Sequence, residues 1–188
     1  MLTHKGTKTI KTERLILRKY RKTDAKDVFQ SWGGDKEVTK YMTFTPFTSV
    51  EQTEQTLERW ATLYPRDNVY LWAIQMGDKV IGNINVVTIS NSQENCEIGY
   101  CLGKQYWNQG IMTEAAKAVV DFLFEKVGVH RIEISHVVQN PSSGKIAQKC
   151  GMEFEGTKKE GFKDPDGNFL DLDCYGILKS RWEELKKA

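Results

Sequence analysis

Apolar residues recur every three to four positions in some parts of this chain and every second position in others. The helical period predicts helices over about 23–32, 49–64, 110–127 and 141–151, with a short helical tail at 182–187. The alternating period predicts strands over about 10–20, 69–75, 80–89, 96–102, 130–138, 152–158 and 168–178. Residues 33–48 show no clear period. The pattern therefore predicts a mixed α/β (α+β) protein.

Residues at the segment ends support these boundaries. Ser49 followed by Gln52 is a capping-box pattern, and Gly128 supplies the left-handed position that ends many helices. Asn140 and Pro141 suit the N-cap and first position of a helix. The run Pro165-Asp166-Gly167 predicts a turn between the last two strands.

Length and composition predict one domain over residues 1–188, with residues 1–9 as a flexible or edge segment. The chain has 188 residues and is 39% hydrophobic, which is enough for one well-packed core. Its net charge of +2 gives no field that would indicate a nucleic-acid or membrane partner. The basic run 18–22 is short, and a solvated strand end explains it better than a phosphate footprint. We expect neither nucleic acid nor membrane as a partner.

The cysteine and histidine positions predict reduced thiols and no metal site. Cys96, Cys101, Cys150 and Cys174 form no CxxC pair and lie in apolar patterns, as buried thiols of a cytoplasmic protein do. The N-terminus lacks the apolar core of a signal peptide, and no segment has the length of a membrane span. His130 and His136 lie roughly 20 Å apart along one predicted strand, too far to share a metal.

A predicted strand ending near Leu102 runs directly into the helix that starts near Gly110. The N-terminus of a helix presents unpaired amides and the positive end of its dipole, so this junction suits a diphosphate. A glycine-containing turn between a strand and a helix is also common structural punctuation, so this feature alone does not decide function.

Two linked motifs sharpen the interpretation. The first is Glu97-Ile98-Gly99-Tyr100 followed by residues 106–115, which read YWNQGIMTEA; the second is Asn140-Pro141-Ser142-Ser143 with residues 149–156, KCGMEFEG. Together they resemble the acetyl-CoA motifs of the GNAT superfamily of N-acetyltransferases, and most of all the RimJ/RimL-like branch that acetylates ribosomal-protein N-termini. Recognisable residues cover 97–156. Of the superfamily's Q/R-x-x-G-x-G/A pattern only the middle glycine, Gly110, is kept.

The resemblance implies a central, mostly antiparallel sheet of about seven strands flanked by helices. This GNAT-like sheet would have a V-shaped splay between the strands holding Ile98 and Ile134, where acetyl-CoA binds. It also implies that backbone amides of Gln109, Gly110, Ile111, Met112 and Thr113 hold the pyrophosphate. Along the pantetheine, it places the backbone of Cys101 and Leu102 together with Asn140.

Acyl transfer to an amine requires an acid for the departing thiolate and a neutral amine. Many relatives use a tyrosine as the acid, but the matching position here is Ala147, which leaves Ser143 as the candidate. Asn140 and Ser143 could instead be simple helix caps. The candidate bases are Glu97, which could equally be a structural residue, and Glu160, which by resemblance follows the Phe154-Glu155-Gly156 strand where relatives place a catalytic Glu.

Two further assignments remain open at the level of sequence. Cys101 could carry an acyl intermediate or be a buried structural thiol, and no neighbouring residue pattern favours its activation. The aromatic residues of the irregular region could shape an acceptor pocket or belong to the core: Trp32, Tyr41, Phe44 and Phe47.

The sequence thus predicts an acetyl-CoA-dependent N-acetyltransferase acting by direct transfer in a ternary complex. A weak base favours a protein or peptide N-terminal α-amine, because neutralising lysine costs roughly 3 kcal/mol more. Alternatives are a small-molecule acceptor such as a polyamine or antibiotic, a non-catalytic acyl-CoA-binding or regulatory protein, and an ordinary nucleotide-binding protein, for which no GxxxxGK[ST] motif is present. A homodimer is left open.

Overall fold

A computed structural model describes residues 1–187. Its strands form a single eight-stranded sheet. The strands are β1 (Ile10–Lys11), β2 (Ile16–Arg18), β3 (Leu71–Met76), β4 (Lys79–Ser90), β5 (Asn95–Leu102), β6 (Arg131–Val137), β7 (Glu153–Lys163) and β8 (Phe169–Leu178). Their order across the sheet is β1-β2-β3-β4-β5-β6-β8-β7. All neighbours are antiparallel except β5 and β6, which are parallel. The predicted fold class is confirmed.

Helices cover both faces of this sheet. They are α1 (Ala25–Val28), α2 (Lys36–Thr39), α3 (Val50–Ala61), α4 (Ile111–Phe122), α5 (Pro141–Lys149) and α6 (Lys179–Lys187). The predicted helix over 23–32 is helical throughout, but only Ala25–Val28 is α-helical, because a 3-10 turn over Lys22–Asp24 precedes it and a π-helical turn over Phe29–Gly33 follows it. Helix α4 likewise ends in a π-helical turn, after which Gly128 adopts the left-handed conformation at φ 81° as expected.

The prediction of one continuous strand over residues 10–20 is wrong. Its two halves fold back on each other as β1 and β2, with Ile10 opposite Leu17. The Thr12 side chain makes this turn, because its Oγ1 accepts a hydrogen bond from the backbone N–H of Leu15 at 3.0 Å. A backbone bond from the Thr12 N–H to the Leu15 oxygen at 3.0 Å closes the same turn, and with β1 and β2 separate the sheet has eight strands instead of about seven.

Two hydrophobic layers enclose the sheet. On one face, α4 buries the stripe predicted from its period, including Ala115, Ala116 and Val119, against Ile98 and Ile134. On the other face, α1 and α3 bury Val28 and Leu57. The alternation of β5 divides its side chains between the layers, so that Ile98 joins the first and Cys101 the second.

The sheet opens between β5 and β6. These strands pair only from Asn95 opposite Arg131 to Glu97 opposite Glu133, and beyond that point they have no registered partners in each other. A β-bulge in β4 lies at the same level, where the register shifts between Val86 and Thr88. Since a bulge increases local twist, it turns the far half of β5 away from β6. The predicted splay between the strands of Ile98 and Ile134 is thereby present.

Residues 1–9 form no regular element and lie against the core. Leu2 is buried, and the backbone N–H of Thr3 donates to the Val127 carbonyl oxygen at 2.9 Å. The indole of Trp72 donates to the Lys8 carbonyl oxygen at 2.7 Å. The segment is therefore held at several points along its length. Within residues 1–187, no helix has the length and apolar character needed to cross a membrane.

Candidate acetyl-CoA cleft

The connection from β5 to α4 ends with its amides facing outward. Gly110 is the N-cap of α4 in the left-handed conformation at φ 74°, which glycine adopts without a steric penalty. No hydrogen bond within residues 1–187 uses the N–H of Ile111, Met112 or Thr113, and the first backbone bond of the helix runs from Glu114 N–H to the Gly110 oxygen. Three aligned donors and the helix dipole thus form a local anion site.

A cleft of about 350 Å³ connects this helix end with the gap between β5 and α5. One wall comes from β5 and the start of α4, and the other from Asn140 and α5 as far as Lys149. Val38 and Met42, from α2 and the loop after it, cover one side. The residues predicted to bind the cofactor that line it are Cys101, Leu102, Gly110, Ile111, Met112, Thr113, Asn140 and Ser143.

A hydrogen bond between Tyr100 and Ser143 crosses the cleft. Their hydroxyl oxygens are 2.8 Å apart, and the Tyr100 hydroxyl also lies 3.2 Å from the Ser143 carbonyl oxygen, to which it can donate. Ser143 is only 8% exposed. Burial raises the pKa of Tyr100 well above its ordinary value, and the hydrogen bond with Ser143 works in the opposite direction. Tyr100 is therefore a neutral hydroxyl that can orient the Ser143 hydroxyl.

Tyr100 is the site residue that sequence reasoning missed. The alternation of β5 places its side chain on the face of Ile98 and Leu102, which was predictable, and that face packs against α4 and α5. What the sequence did not show is that the open side of β5 brings Tyr100 against residue 143. Helix α5 has Ala147 where many relatives have a tyrosine, but β5 brings a different tyrosine, Tyr100, to the cleft.

Asn140 occupies the predicted N-cap position of α5, but neither its side chain nor that of Ser143 makes a capping hydrogen bond. The Asn140 side chain makes no capping hydrogen bond, although its backbone oxygen accepts from the Ser143 N–H at 3.1 Å. The Ser143 hydroxyl is engaged with Tyr100 instead of an amide of its own helix. Both side chains lie on the cleft wall, where they can contact a ligand.

The cleft-lining part of β5 has one edge unpaired. From Ile98 to Leu102 this strand pairs with β4 alone, so within residues 1–187 no strand covers its other edge. The Leu102 carbonyl oxygen is already engaged, because the Trp107 indole donates a hydrogen bond to it at 2.7 Å. An extended ligand can add to such an edge through main-chain hydrogen bonds.

Cys101 has the properties of a structural thiol. Its side chain belongs to the second hydrophobic layer, together with Val80 and Ala73. Burial raises its pKa to about 12, opposed by a weaker backbone hydrogen bond at Asn83, so at neutral pH it is not a thiolate. Since the thiolate is the nucleophile, the acyl-cysteine alternative loses its chemical basis.

Three of the predicted site residues are not on the cleft wall. Glu97 lies in the paired half of β5, between Thr88 and Glu133. Glu160 lies in the bulge of β7 at φ 48° and is exposed. Gln109 directly precedes the helix cap, and its side chain donates back to the Gln105 carbonyl oxygen at 2.8 Å, whereas its backbone amide, the group predicted to bind phosphate, stays a prediction. Tertiary structure, which the motif could not specify, places the two carboxylates away from the cleft.

The charge of the cleft walls is positive. Lys145 and Lys149, one turn apart on α5, line the cleft and are exposed, while no described residue on its walls is Asp or Glu. This balance favours an anionic ligand at the helix end and a neutral amine at the reacting centre. Metal ligands are also lacking: no group of three or more His, Cys, Asp or Glu in residues 1–187 is placed to hold an ion.

The aromatic residues of the irregular region are mostly core. The rings of Phe44 and Phe47 stack at 5.6 Å between centroids, and Trp32, which is fully buried, packs against both. None of these three rings is on the cleft wall. Val38 and Met42, which periodicity had not indicated, line the cleft on that side instead.

The parallel strand pair opens beside a free helix N-terminus, which is the arrangement that the resemblance implies for a transferase that uses acetyl-CoA. The sequence agrees, since residues 14–153 match the family model described as an acetyltransferase (GNAT) domain. The chain belongs to this family. It is an acyltransferase that depends on acetyl-CoA as cosubstrate. This membership removes the nucleotide-binding alternative, and it speaks against a protein that only binds acyl-CoA.

Named relatives agree with this placement. An uncharacterized N-acetyltransferase, p20 of Bacillus licheniformis, is 32% identical over 93% of this chain and 98% of its own. The ribosomal-protein-serine acetyltransferase of Escherichia coli (strain K12) is 30% identical over 60% of this chain and 63% of its own. RimL, a ribosomal L7/L12 α-N-protein acetyltransferase solved with coenzyme A, has a TM-score of 0.80 at 21% identity over 91% of this chain and 98% of its own, a likeness of fold. The resemblance to the ribosomal-protein branch is thereby confirmed.

Proposed function

We propose that this chain transfers the acetyl group of acetyl-CoA to the N-terminal α-amine of a protein or peptide, directly and within a ternary complex. The observation that carries the proposal is the Tyr100–Ser143 hydroxyl pair, in a cleft whose mouth offers free amides and whose described walls hold no carboxylate. Names of relatives that act on ribosomal proteins support a polypeptide acceptor.

The cofactor is expected to follow the cleft from one end to the other. The amides of Ile111, Met112 and Thr113 would hold the pyrophosphate, because they point outward and lack acceptors within residues 1–187. Pantetheine would add to the open edge of β5 beside Cys101 and Leu102, with the Asn140 side chain as a further polar contact.

The reaction needs one proton donor in the cleft. The amine nitrogen attacks the thioester carbonyl carbon, a C–N bond forms, the C–S bond breaks, and the sulfur takes the electron pair. The Ser143 hydroxyl gives its proton to the departing sulfur, while the Tyr100 hydroxyl, 2.8 Å away, holds it in position and stays neutral. A proton from solvent then restores the Ser143 hydroxyl. The proton lost by the amine passes to solvent, since neither Glu97 nor Glu160 lines the cleft. We assign those carboxylates no role.

The absence of a cleft carboxylate among the described residues bears on the acceptor. An enzyme without a strong base must take its amine already neutral, and a free α-amine has a pKa near 8 against about 10.4 for lysine. Lys145 and Lys149 add positive charge that opposes a protonated amine. Polyamines and aminoglycosides are polycations, so the same charge argues against this alternative class of acceptor.

An acceptor screen tests the proposal. The protein and acetyl-CoA are mixed with peptides bearing a free N-terminus, and released coenzyme A is followed with a thiol reagent. Each peptide is paired with a copy that is blocked at its N-terminus and contains lysine, and polyamines, aminoglycosides and amino acids complete the panel. We expect turnover of free-N-terminus peptides alone. If a blocked peptide or a polyamine were turned over faster than the peptides with a free N-terminus, the acceptor would belong to another class.

The ternary-complex mechanism has its own test. Initial rates measured against both substrates should give intersecting reciprocal plots, and mass spectrometry without acceptor should detect no acetylated enzyme. Parallel plots with acetyl on Cys101 would contradict direct transfer.

We further propose that the chain acts as one domain in the cytoplasm. All four cysteines are free and three are buried, which fits a reducing compartment. Separate cell fractions probed for the protein would test the location.

A further inference from the structure

An arginine from the β1–β2 turn reaches the mouth of α4, some hundred positions away along the chain. Arg14 Nη1 donates to the Gln109 carbonyl oxygen at 3.1 Å, immediately before the helix cap. Its Nη2 lies 3.7 Å from the position that a Cβ on Gly110 would occupy. The guanidinium therefore stands beside the free amides of the helix end.

The same arginine neutralises a carboxylate next to that site. Glu114, in the first turn of α4, accepts hydrogen bonds from the Arg14 backbone N–H at 2.9 Å, from Arg14 Nε at 2.6 Å and from the Thr12 hydroxyl at 2.6 Å. Burial works to raise the pKa of Glu114, but these bonds outweigh it and the pKa is lowered. Glu114 is thus ionised and tied to the turn, which fixes the direction of the Arg14 fork.

One nitrogen of the fork has no partner in the described chain. Nε is used by Glu114 and Nη1 by Gln109, whereas Nη2 makes no hydrogen bond within residues 1–187. A guanidinium whose other nitrogens are fixed presents the remaining N–H groups at little further entropic cost. Phosphate oxygens are among the acceptors with which a guanidinium N–H forms strong, charge-assisted hydrogen bonds.

We propose that Arg14 is part of the phosphate subsite, and that its Nη2 donates directly to a pyrophosphate oxygen of coenzyme A held at the Gly110 end of α4. This inference rests on the proposed function, because it takes the amides of residues 111–113 as the pyrophosphate cradle. It makes the β1–β2 turn, outside the recognised motifs, one rim of the cofactor site.

The test compares acetyl-CoA with acetyl-pantetheine, a thioester that lacks the pyrophosphate. With acetyl-CoA, Arg14→Ala should raise KM about tenfold and leave kcat nearly unchanged, because a half-exposed charge-assisted hydrogen bond is lost. With acetyl-pantetheine, the variant and the parent should have equal kcat/KM. Arg181→Ala, which removes an exposed arginine paired with Glu184, is the matched control.

A double variant separates direct contact from neutralisation of Glu114. If Arg14 touches the phosphate, Arg14→Ala with Glu114→Gln should still bind coenzyme A weakly. Restoration of the parent affinity by Glu114→Gln would overturn direct contact, as would equal losses with both thioesters. Calorimetry of the parent with coenzyme A is run first. If the parent gives no binding heat, the proposed cofactor site fails; if it binds and Arg14→Ala binds equally, the Arg14 inference alone fails.

Discussion

Replacing Ser143 by alanine should remove chemistry while leaving the cleft almost intact. The change deletes one hydroxyl that is bonded to Tyr100 at 2.8 Å, and the Tyr100 hydroxyl keeps the Ser143 carbonyl oxygen, 3.2 Å away, as acceptor. No buried donor is left without a partner, so the stability loss should be about 1 kcal/mol, or roughly 2–4 °C in Tm for a protein of this size.

The loss of activity should be much larger than the loss of stability. Deleting a positioned general acid typically costs 10²–10⁴-fold, and we expect kcat to fall by about 10²-fold or more. The KM for acetyl-CoA should change little, because amides and pyrophosphate dominate cofactor binding in this proposal. Steady-state kinetics with a free-N-terminus peptide, together with a thermal melt and calorimetry of coenzyme A binding, measure these three quantities.

Two further variants serve as control and as partner in a double-mutant cycle. Ser180→Ala removes an exposed serine of α6 and should behave as the parent does. Tyr100→Phe removes the partner and should lower kcat by about tenfold, which corresponds to one neutral hydrogen bond. In the double variant the two effects should not add, since both act through one hydroxyl. An unchanged kcat in Ser143→Ala would refute its role as acid, and additive losses would refute the coupling to Tyr100.

Other predictions concern the helix end, the pH profile and a buried ion pair. Gly110→Ala, at φ 74°, should destabilise the fold by about 1–2 kcal/mol and weaken coenzyme A binding, as measured by a melt and calorimetry; unchanged binding would contradict the cradle. With a peptide α-amine as acceptor, kcat/KM should rise with pH and level off above about 8, where the amine is neutral; a plateau already at pH 6 would indicate a base on the enzyme. Asp24→Asn leaves buried Arg18 without its paired carboxylate, at 2.7 and 2.8 Å, and should cost about 3–5 kcal/mol in a denaturant titration; a loss below 1 kcal/mol would contradict burial of this pair.

The sequence by itself determined the class of fold and located the helix N-terminus at which we propose that the cofactor phosphates bind. Hydrophobic period marked the strands and the long helix α4, because burial of one face imposes a fixed repeat on any chain that forms these elements. Gly110 and the residues after it were identifiable for a related reason: a left-handed cap followed by free amides depends on local backbone geometry, which local sequence specifies.

Only the tertiary structure decided which side chains meet in the cleft. Tyr100 and Ser143 come together because β5 and β6 separate after Glu97, and Arg14 meets Gly110 because the β1–β2 turn lies over α4. Glu97 and Glu160 have the right chemistry and lie elsewhere for the same reason. Contacts between distant segments depend on how strands pair and diverge across the whole sheet, and no local pattern of residues encodes that arrangement.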